Sequence, residues 1–463
     1  MAPLVLGIDS STQSTKALLV DAETGQVLEE RRASHPDGTE VDPRAWLRAV
    51  DEAAGPLLDR ADALAVGGQQ HGMVLLDEAG EVVRDALLWN DTRSADAATA
   101  LIEEMGGPQA SVEEIGSLMV ASFTASKLRW VRDEEPENAQ RAAQVLLPHD
   151  FVSLHLAESG AAPFTDRGDA SGTGYYSTRE EAWKPELVEA ALGKSLGLPR
   201  LPSAPNEVMA RTASGAAIAA GTGDNMGAAL GLSLGPGDVS VSIGTSGVCA
   251  MVSDARPGDA SGTVTGFADA TGRFLPMTTT INASRILEAG RALLGVSHEE
   301  MAELALASEP GANGVTLLPY FDGERTPNRP HARATLTGMS TSTTREDVAR
   351  AYVEGLLCSL ADGIAALEER TGTAARRITL IGGGARSRAI QQLAPAIFGR
   401  EVTIAPDGEF VALGAARQAA WALAGTEEPP AWEISGSRVV TADATPEVLG
   451  AYRELKERTA DWS

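Results

Sequence analysis

The chain has 463 residues, 43% hydrophobic and 22% charged, a globular balance that fits two to four domains at roughly 150 residues each. Its formal net charge of −26 repels phosphate backbones and anionic lipid heads, which excludes nucleic acid and membrane surfaces as partners. Any polyphosphate ligand must therefore be held locally, by backbone N–H groups and a divalent cation, against the field of the whole molecule. Cys249 and Cys358 have no neighbouring cysteine of metal or redox type and are expected to be buried thiols in a reducing cytosol. The apolar run at residues 4–8 is stopped by Asp9, lacks a basic leader and is too short for a signal peptide or a membrane span. The reading expects a cytoplasmic protein.

In chain order, LVLGIDSSTQSTKALLVDAETGQVLEE reads as strand, turn, strand, turn, strand, with Glu23-Thr24-Gly25 as the second turn. A helix is expected from Asp42-Pro43, with Trp46, Leu47 and Val50 on one face. ALAVGGQQHGMVLLD predicts two further strands broken by a glycine loop. Residues 92–202 are mostly polar and helical, with Trp130, Leu146 and Trp183 as apolar anchors. Near residue 238 the opening pattern returns: VSVSIGTSGVCAMVSD again gives strand, Gly and Ser/Thr turn, strand, which points to an internal duplication. A Gly/Pro turn at 234–237 marks the boundary between halves. The second half then predicts a long helix over 345–367, a strand over 378–381, the turn Gly382-Gly383-Gly384 and a following helix. The fold class is α/β with a mixed sheet in each half.

Several turns carry candidate chemistry. Gly7-Ile8-Asp9-Ser10-Ser11-Thr12-Gln13-Ser14-Thr15-Lys16 clusters small polar residues whose N–H and hydroxyl groups suit polyphosphate oxygens; Lys16 adds a positive charge and Asp9 a hard oxygen for Mg²⁺. It lacks P-loop spacing, and alone it reads as an ordinary hairpin. Gly244-Thr245-Ser246-Gly247 is the matching turn in the second half, and two such turns suggest a nucleotide contacted from both halves. Gly382-Gly383-Gly384-Ala385-Arg386-Ser387, between strand and helix, allows close backbone approach to a ribose, base or phosphate. Asp224, in Ala219-Ala220-Gly221-Thr222-Gly223-Asp224-Asn225, is either a helix N-cap or a carboxylate placed to take a proton from a substrate hydroxyl. Gly68-Gln69-Gln70-His71-Gly72 supplies donors and acceptors suited to sugar hydroxyls. Ser122-Phe123-Thr124-Ala125-Ser126-Lys127-Leu128-Arg129-Trp130 reads as an amphipathic helix start capped by Thr124. No zinc-type cluster of His or Cys is present in the sequence.

Together these segments resemble the FGGY carbohydrate kinases, within the wider superfamily of sugar kinases, actin and heat-shock chaperone ATPases. Residues 122–130 resemble the family's first signature. Residues 334–354 resemble its second, with Leu336, Gly338, Asp347, Val348 and Glu354 in register and Tyr352 where a smaller residue is usual. Within the family the chain is most similar to the xylulokinases. The resemblance implies two ribonuclease H-like (actin-like ATPase) lobes with helical insertions and ATP in a central cleft. It assigns residues 1–235 to an N-terminal sugar-binding lobe and 236–463 to a C-terminal nucleotide-binding lobe. It implies Asp224 as general base and Asp9 as the Mg²⁺-associated carboxylate. ATP contacts fall at Thr12, Lys16, Gly244, Thr245, Gly383, Gly384 and Ser387, and sugar contacts at Gln70, His71, Asp224 and Asn225. The expected reaction is phosphorylation of a ketopentose, most similar to D-xylulose, by a homodimer. Gln70 stands where many of these relatives have Met, which opens the sugar preference to ribulose, a deoxy sugar or a polyol. A sugar-sensing repressor would carry a basic helix-turn-helix and a chaperone-like ATPase a peptide-binding domain, and neither is expected.

Overall fold

The opening strand is explained by its alternation. Leu6 and Ile8 point to one face and Val5 and Gly7 to the other, and both faces are covered, which a central strand requires. A computed structural model describes residues 2–462 and divides the chain into two compact units. The first holds residues up to 234, 254–275 and 408–433; the second holds 235–253, 276–407 and those from 434 onward.

In the first unit the sheet runs Val208–Arg211, Ala217–Ala219, Ala63–Gly68, Leu4–Ser10, Ser14–Asp21, Val27–Ser34. Leu4–Ser10 pairs antiparallel with Ser14–Asp21 and parallel with Ala63–Gly68. One face buries Leu6, Ile8, Leu64 and Val66 against Trp46 and Val50 of the helix Arg44–Ala53. Each such side chain contributes roughly 1.5–3 kcal/mol on burial. The other face buries Val5, Ala63 and Ala65 against Ala412, Ala415, Ala416 and Ala419 of the helix Phe410–Ala424. Gly7 is needed there: a Cβ would lie 1.9 Å from the Ala412 carbonyl oxygen. The middle segment is mainly helical, as its composition suggests, with Thr124–Glu134, Pro148–Leu156 and Pro185–Leu192 among its helices.

In the second unit the sheet order is Phe274–Thr280, Gly247–Met251, Asp238–Ile243, Arg377–Ile381, Val402–Ile404, Arg438–Val440. Asp238–Ile243 pairs antiparallel with Gly247–Met251 and parallel with Arg377–Ile381. This is the arrangement around Leu4–Ser10, so the repeat in the sequence is a repeat of sheet topology. The long helix spans Arg345–Thr371. It starts at Thr344, whose Oγ1 accepts from the Asp347 N–H while Asp347 accepts from the Thr344 N–H, and it stops at Gly372, φ 65°. Tyr352 fits on this helix because Gly290 opposite has no side chain; a Cβ there would lie 2.6 Å from the Tyr352 ring.

Two local expectations differ from the structure by one position. Phe123, not Thr124, precedes the helix Thr124–Glu134, and the Thr124 hydroxyl turns to the His71 carbonyl at 3.3 Å. Gly223 holds the cap position of the helix Asp224–Gly231, and Asp224 is its first residue.

Candidate active site

The site in the first unit follows from strand register. Asp9 is level with Gly67, and Gly67 with Thr222; Ser10 is level with Gly68, and Gly68 with Gly223. All three strands are parallel, so the residues leaving their C-terminal ends emerge side by side, where ligands bind in such sheets. Those residues are Asp9 with its turn, Gln69-Gln70-His71, and Asp224-Asn225.

Asp9 is buried. Its Oδ2 accepts from Lys16 Nζ at 3.3 Å and from Ser11 Oγ at 3.2 Å, while Oδ1 has no hydrogen-bond partner. Burial pushes its carboxyl up to about 6, with Lys16 pulling the other way. Lys16 is also paired to Glu409 at 2.6 Å, so its charge is already shared between two carboxylates. Thr12 accepts from the indole N–H of Trp89 at 3.0 Å. His35 braces the turn from beneath, reaching Ser11 O and Thr15 Oγ1 at 2.8 Å each.

Asp224 keeps a partly open face while its carboxyl sits deep. Loss of solvent pushes it up to about 7, and the nearby Asp9 charge adds to this; donors on Asn225 pull it back. Its Oδ1 accepts the Asn225 N–H at 2.7 Å and the Asn225 side-chain amide at 2.9 Å. The same Asn225 amide donates to Gln70 Oε1 at 2.9 Å, and Gln70 Nε2 is buried with no partner. The His71 ring packs on Phe123 and Phe267, with centroids 5.1 and 5.7 Å away, and its Nδ1 donates to Gly172 O at 2.8 Å. Behind this edge lies His149, fully buried, with Asp150, Asp166 and Asp169 at 3.3–3.4 Å.

The second unit holds a cavity of about 680 Å³ lined by Gly244, Thr245, Gly383, Gly384 and Ser387, all five of the residues that the sequence proposes there for ATP. Leu287, Met301, Ala302 and Leu306 give it an apolar wall fit for a flat base. Gly384 lets the turn close on Ile243: a Cβ would lie 2.4 Å from its side chain. Gly383 has nothing within 4 Å.

Residues 4–232 match the N-terminal domain, and residues 239–423 the C-terminal domain, of the FGGY family of carbohydrate kinases. The chain belongs to that family. It is 45% identical over 441 residues to a xylulose kinase of Streptomyces coelicolor, covering 92% of this chain and 89% of that one. A second xylulose kinase, of Streptomyces rubiginosus, is 43% identical, covering 95% and 93%. The crystal structure of xylulose kinase from Bifidobacterium adolescentis superposes with a TM-score of 0.92 at 47% identity, covering 98% and 99%. The protein is thus a sugar kinase of the two-domain, actin-like ATPase fold, using ATP with Mg²⁺. None of the described helices is long and apolar enough to cross a membrane.

The FGGY kinases' magnesium is tested by the residues present. No group of three or more His, Cys, Asp or Glu side chains forms a metal cage among the described residues. The orphaned, buried Oδ1 of Asp9 is a hard acceptor awaiting a partner, which fits an ion that keeps most of its waters and takes phosphate oxygens. When bound, such an ion neutralises charge on the transferring phosphoryl group.

Glu409, His35 and the His149 cluster were not legible in the sequence. Glu409 meets Lys16 across almost the whole chain, and no local pattern announces such a pairing.

Proposed function

We propose that this kinase transfers the γ-phosphoryl group of ATP to the terminal hydroxyl of a ketopentose, D-xylulose, giving xylulose 5-phosphate and ADP. Asp224 acts as general base. It accepts the hydroxyl proton as the oxygen bonds to the γ-phosphorus and the bond from that phosphorus to the β,γ-bridging oxygen breaks. The observation that carries the reading is the hydrogen-bonded line Gln70–Asn225–Asp224, ending in a carboxyl that titrates near neutral pH. Asn225 fixes the carboxylate, and Gln70 Nε2 and the His71 ring meet sugar hydroxyls. Asp9, through its unpartnered Oδ1, would hold the Mg²⁺ that accompanies ATP. Thr12 and Lys16 in the first unit, and Gly244, Thr245, Gly383, Gly384 and Ser387 in the second, contact ATP. The first unit takes the sugar and the second the nucleotide.

The relatives named xylulose kinase, at 43–45% identity, support the choice of sugar. A cytoplasmic location, where ATP is abundant, and a homodimeric state belong to the same proposal and rest on the family resemblance. The test is a coupled ADP-release assay with Mg-ATP and about a dozen ketoses, aldoses and polyols. D-xylulose is expected to give the highest kcat/KM. A better ribulose, deoxy sugar or glycerol-like polyol would overturn the substrate while leaving the kinase.

A further inference from the structure

His71 has a positive φ of 67°, a conformation that non-glycine residues avoid at a cost of roughly 1–3 kcal/mol. Something must hold it. The ring is fixed by Gly172, whose carbonyl accepts from Nδ1 at 2.8 Å and whose missing side chain leaves room; a Cβ there would lie 2.5 Å from the imidazole. The backbone is fixed from the other side by the helix Thr124–Glu134. Lys127 Nζ donates to His71 O at 2.9 Å and also to Ser122 O, and Thr124 Oγ1 adds a third bond, to His71 O at 3.3 Å.

Lys127 is fully buried. Its ammonium is spent on two backbone carbonyls rather than on a carboxylate, and burial pulls it down to about 7. A buried lysine is a costly way to fill space, since any apolar side chain of that length would pack as well. What the lysine supplies is a strong donor at the carbonyl of a strained residue.

We propose that Lys127 is a positioning residue for the sugar. By binding the His71 carbonyl it holds that residue in the left-handed conformation, and so sets how the His71 ring and the Gln70 amide face the substrate. Gln70 is bonded to Asn225, which is bonded to Asp224, so a turn of the peptide at His71 disturbs the edge that receives the hydroxyls. The inference rests on the reading of Gln70 and His71 as sugar contacts, and the experiment separates the two.

The experiment is a double-mutant cycle on the full chain with Lys127→Met, His71→Gly and both, read by thermal melting and by steady-state kinetics. Glycine takes a positive φ without strain. Removing the clamp lets the native His71 relax and recover strain that the glycine variant never carries, so Lys127→Met is expected to lower Tm by about 3 °C less in the native background than in His71→Gly. Equal drops in both backgrounds overturn the clamp. In kinetics, Lys127→Met is expected to raise KM for D-xylulose about 10-fold, about 1.4 kcal/mol, with kcat and KM for ATP within about 3-fold. Equal rises in both KM values, or a fall in kcat alone, mean general loosening and overturn the positioning role. Lys127→Gln keeps an uncharged amide donor and is expected to fall between; it replaces Lys127→Met throughout the cycle if that variant does not fold. An unchanged KM for D-xylulose in His71→Gly alone overturns His71 as a sugar contact, and the positioning role with it, while the melting cycle still decides the clamp.

Discussion

Asp224 gives the sharpest prediction, because its environment sets both a rate and a pH. Burial is the larger cause of its raised pKa of about 7, and the like charge of Asp9 is next. A base with that pKa is ionised in about one molecule in eleven at pH 6 and about ten in eleven at pH 8. The kcat/KM for sugar should therefore rise about tenfold from pH 6 to pH 8, along a one-proton limb. Asp224→Asn keeps the shape of the side chain and removes the proton acceptor. General-base catalysis contributes about 10²–10⁴-fold, so kcat should fall by that factor and the limb should vanish from the residual rate. ATP binding, followed by quenching of tryptophan fluorescence, should change by less than about threefold. Asp9→Asn should move the limb in the native Asp224 enzyme to lower pH, since it removes a charge that disfavours the Asp224 carboxylate. Turnover by Asp224→Asn within tenfold of native, or an unchanged limb in its residual rate, would refute the assignment and the electrostatic reasoning behind it.

Other features make further predictions. Burial raises Asp166 from its ordinary value of 3.8 to about 7, so between those values the folded state keeps a proton that the unfolded state has lost. Stability should then fall as pH rises from about 4 to about 7, at about 1.4 kcal/mol per pH unit for this group, and Asp166→Asn should flatten the slope of Tm against pH. Gly414→Ala should destabilise by about 1–3 kcal/mol or more in denaturant titration, because its Cβ would lie 1.9 Å from the Gly227 carbonyl oxygen, where the helix Phe410–Ala424 meets the helix carrying Asp224. Gly383→Ala has open space around its Cβ on the cavity wall. It should leave Tm unchanged and raise KM for ATP, with KM for sugar constant.

The sequence made the strands and their turns legible because both depend on nearest neighbours. Apolar alternation placed the strand Leu4–Ser10 and its counterpart Asp238–Ile243. Their parallel partners, Ala63–Gly68 and Arg377–Ile381, lie some sixty and 140 residues further on, and pairing at that distance leaves no local trace. The same limit hid Glu409 beside Lys16 and the three carboxylates around His149. The two family signatures show a different gap. They were recognised as patterns, but what each residue does is legible only in the folded chain. Asp347 caps a helix and also accepts from Ser308 and Asn313 at 2.7 Å; Glu354 pairs with Arg350 at 2.6 Å; Trp130 lies under the guanidinium groups of Arg84 and Arg93. Gly338 closes on the Gly314 carbonyl, where a Cβ would lie 1.9 Å away. These residues build the scaffold, while Lys127 and Thr124 of the first signature reach the sugar edge through the backbone of His71, and Phe123 packs on its ring.

The duplication also explains how one architecture carries two jobs. The turn after Ile8 begins with Asp9, and the turn after Ile243 begins with Gly244. In the first unit Lys16 pairs with Asp9 and Glu409, and the Asp9 charge in turn acts on Asp224, so three carboxylates stand against one lysine and the site is net negative even before substrate arrives. Such a site repels bare phosphate and suits proton abstraction from a neutral sugar hydroxyl, with a divalent cation needed to admit the phosphoryl group. In the second unit the corresponding turn has no side-chain charge and opens, with Gly383 and Gly384, onto a largely apolar wall. The apolar part of that wall can take a base, while Glu288, Glu299 and Glu303 also line the cavity. Putting Asp at position 244 would carry the first turn's chemistry into the second. Gly244→Asp should weaken ATP binding at least about tenfold through charge repulsion, while Gly244→Asn, equal in size and uncharged, should weaken it less. If the two variants weakened it equally, volume would be the cause, and the division of labour between the two turns would not be electrostatic.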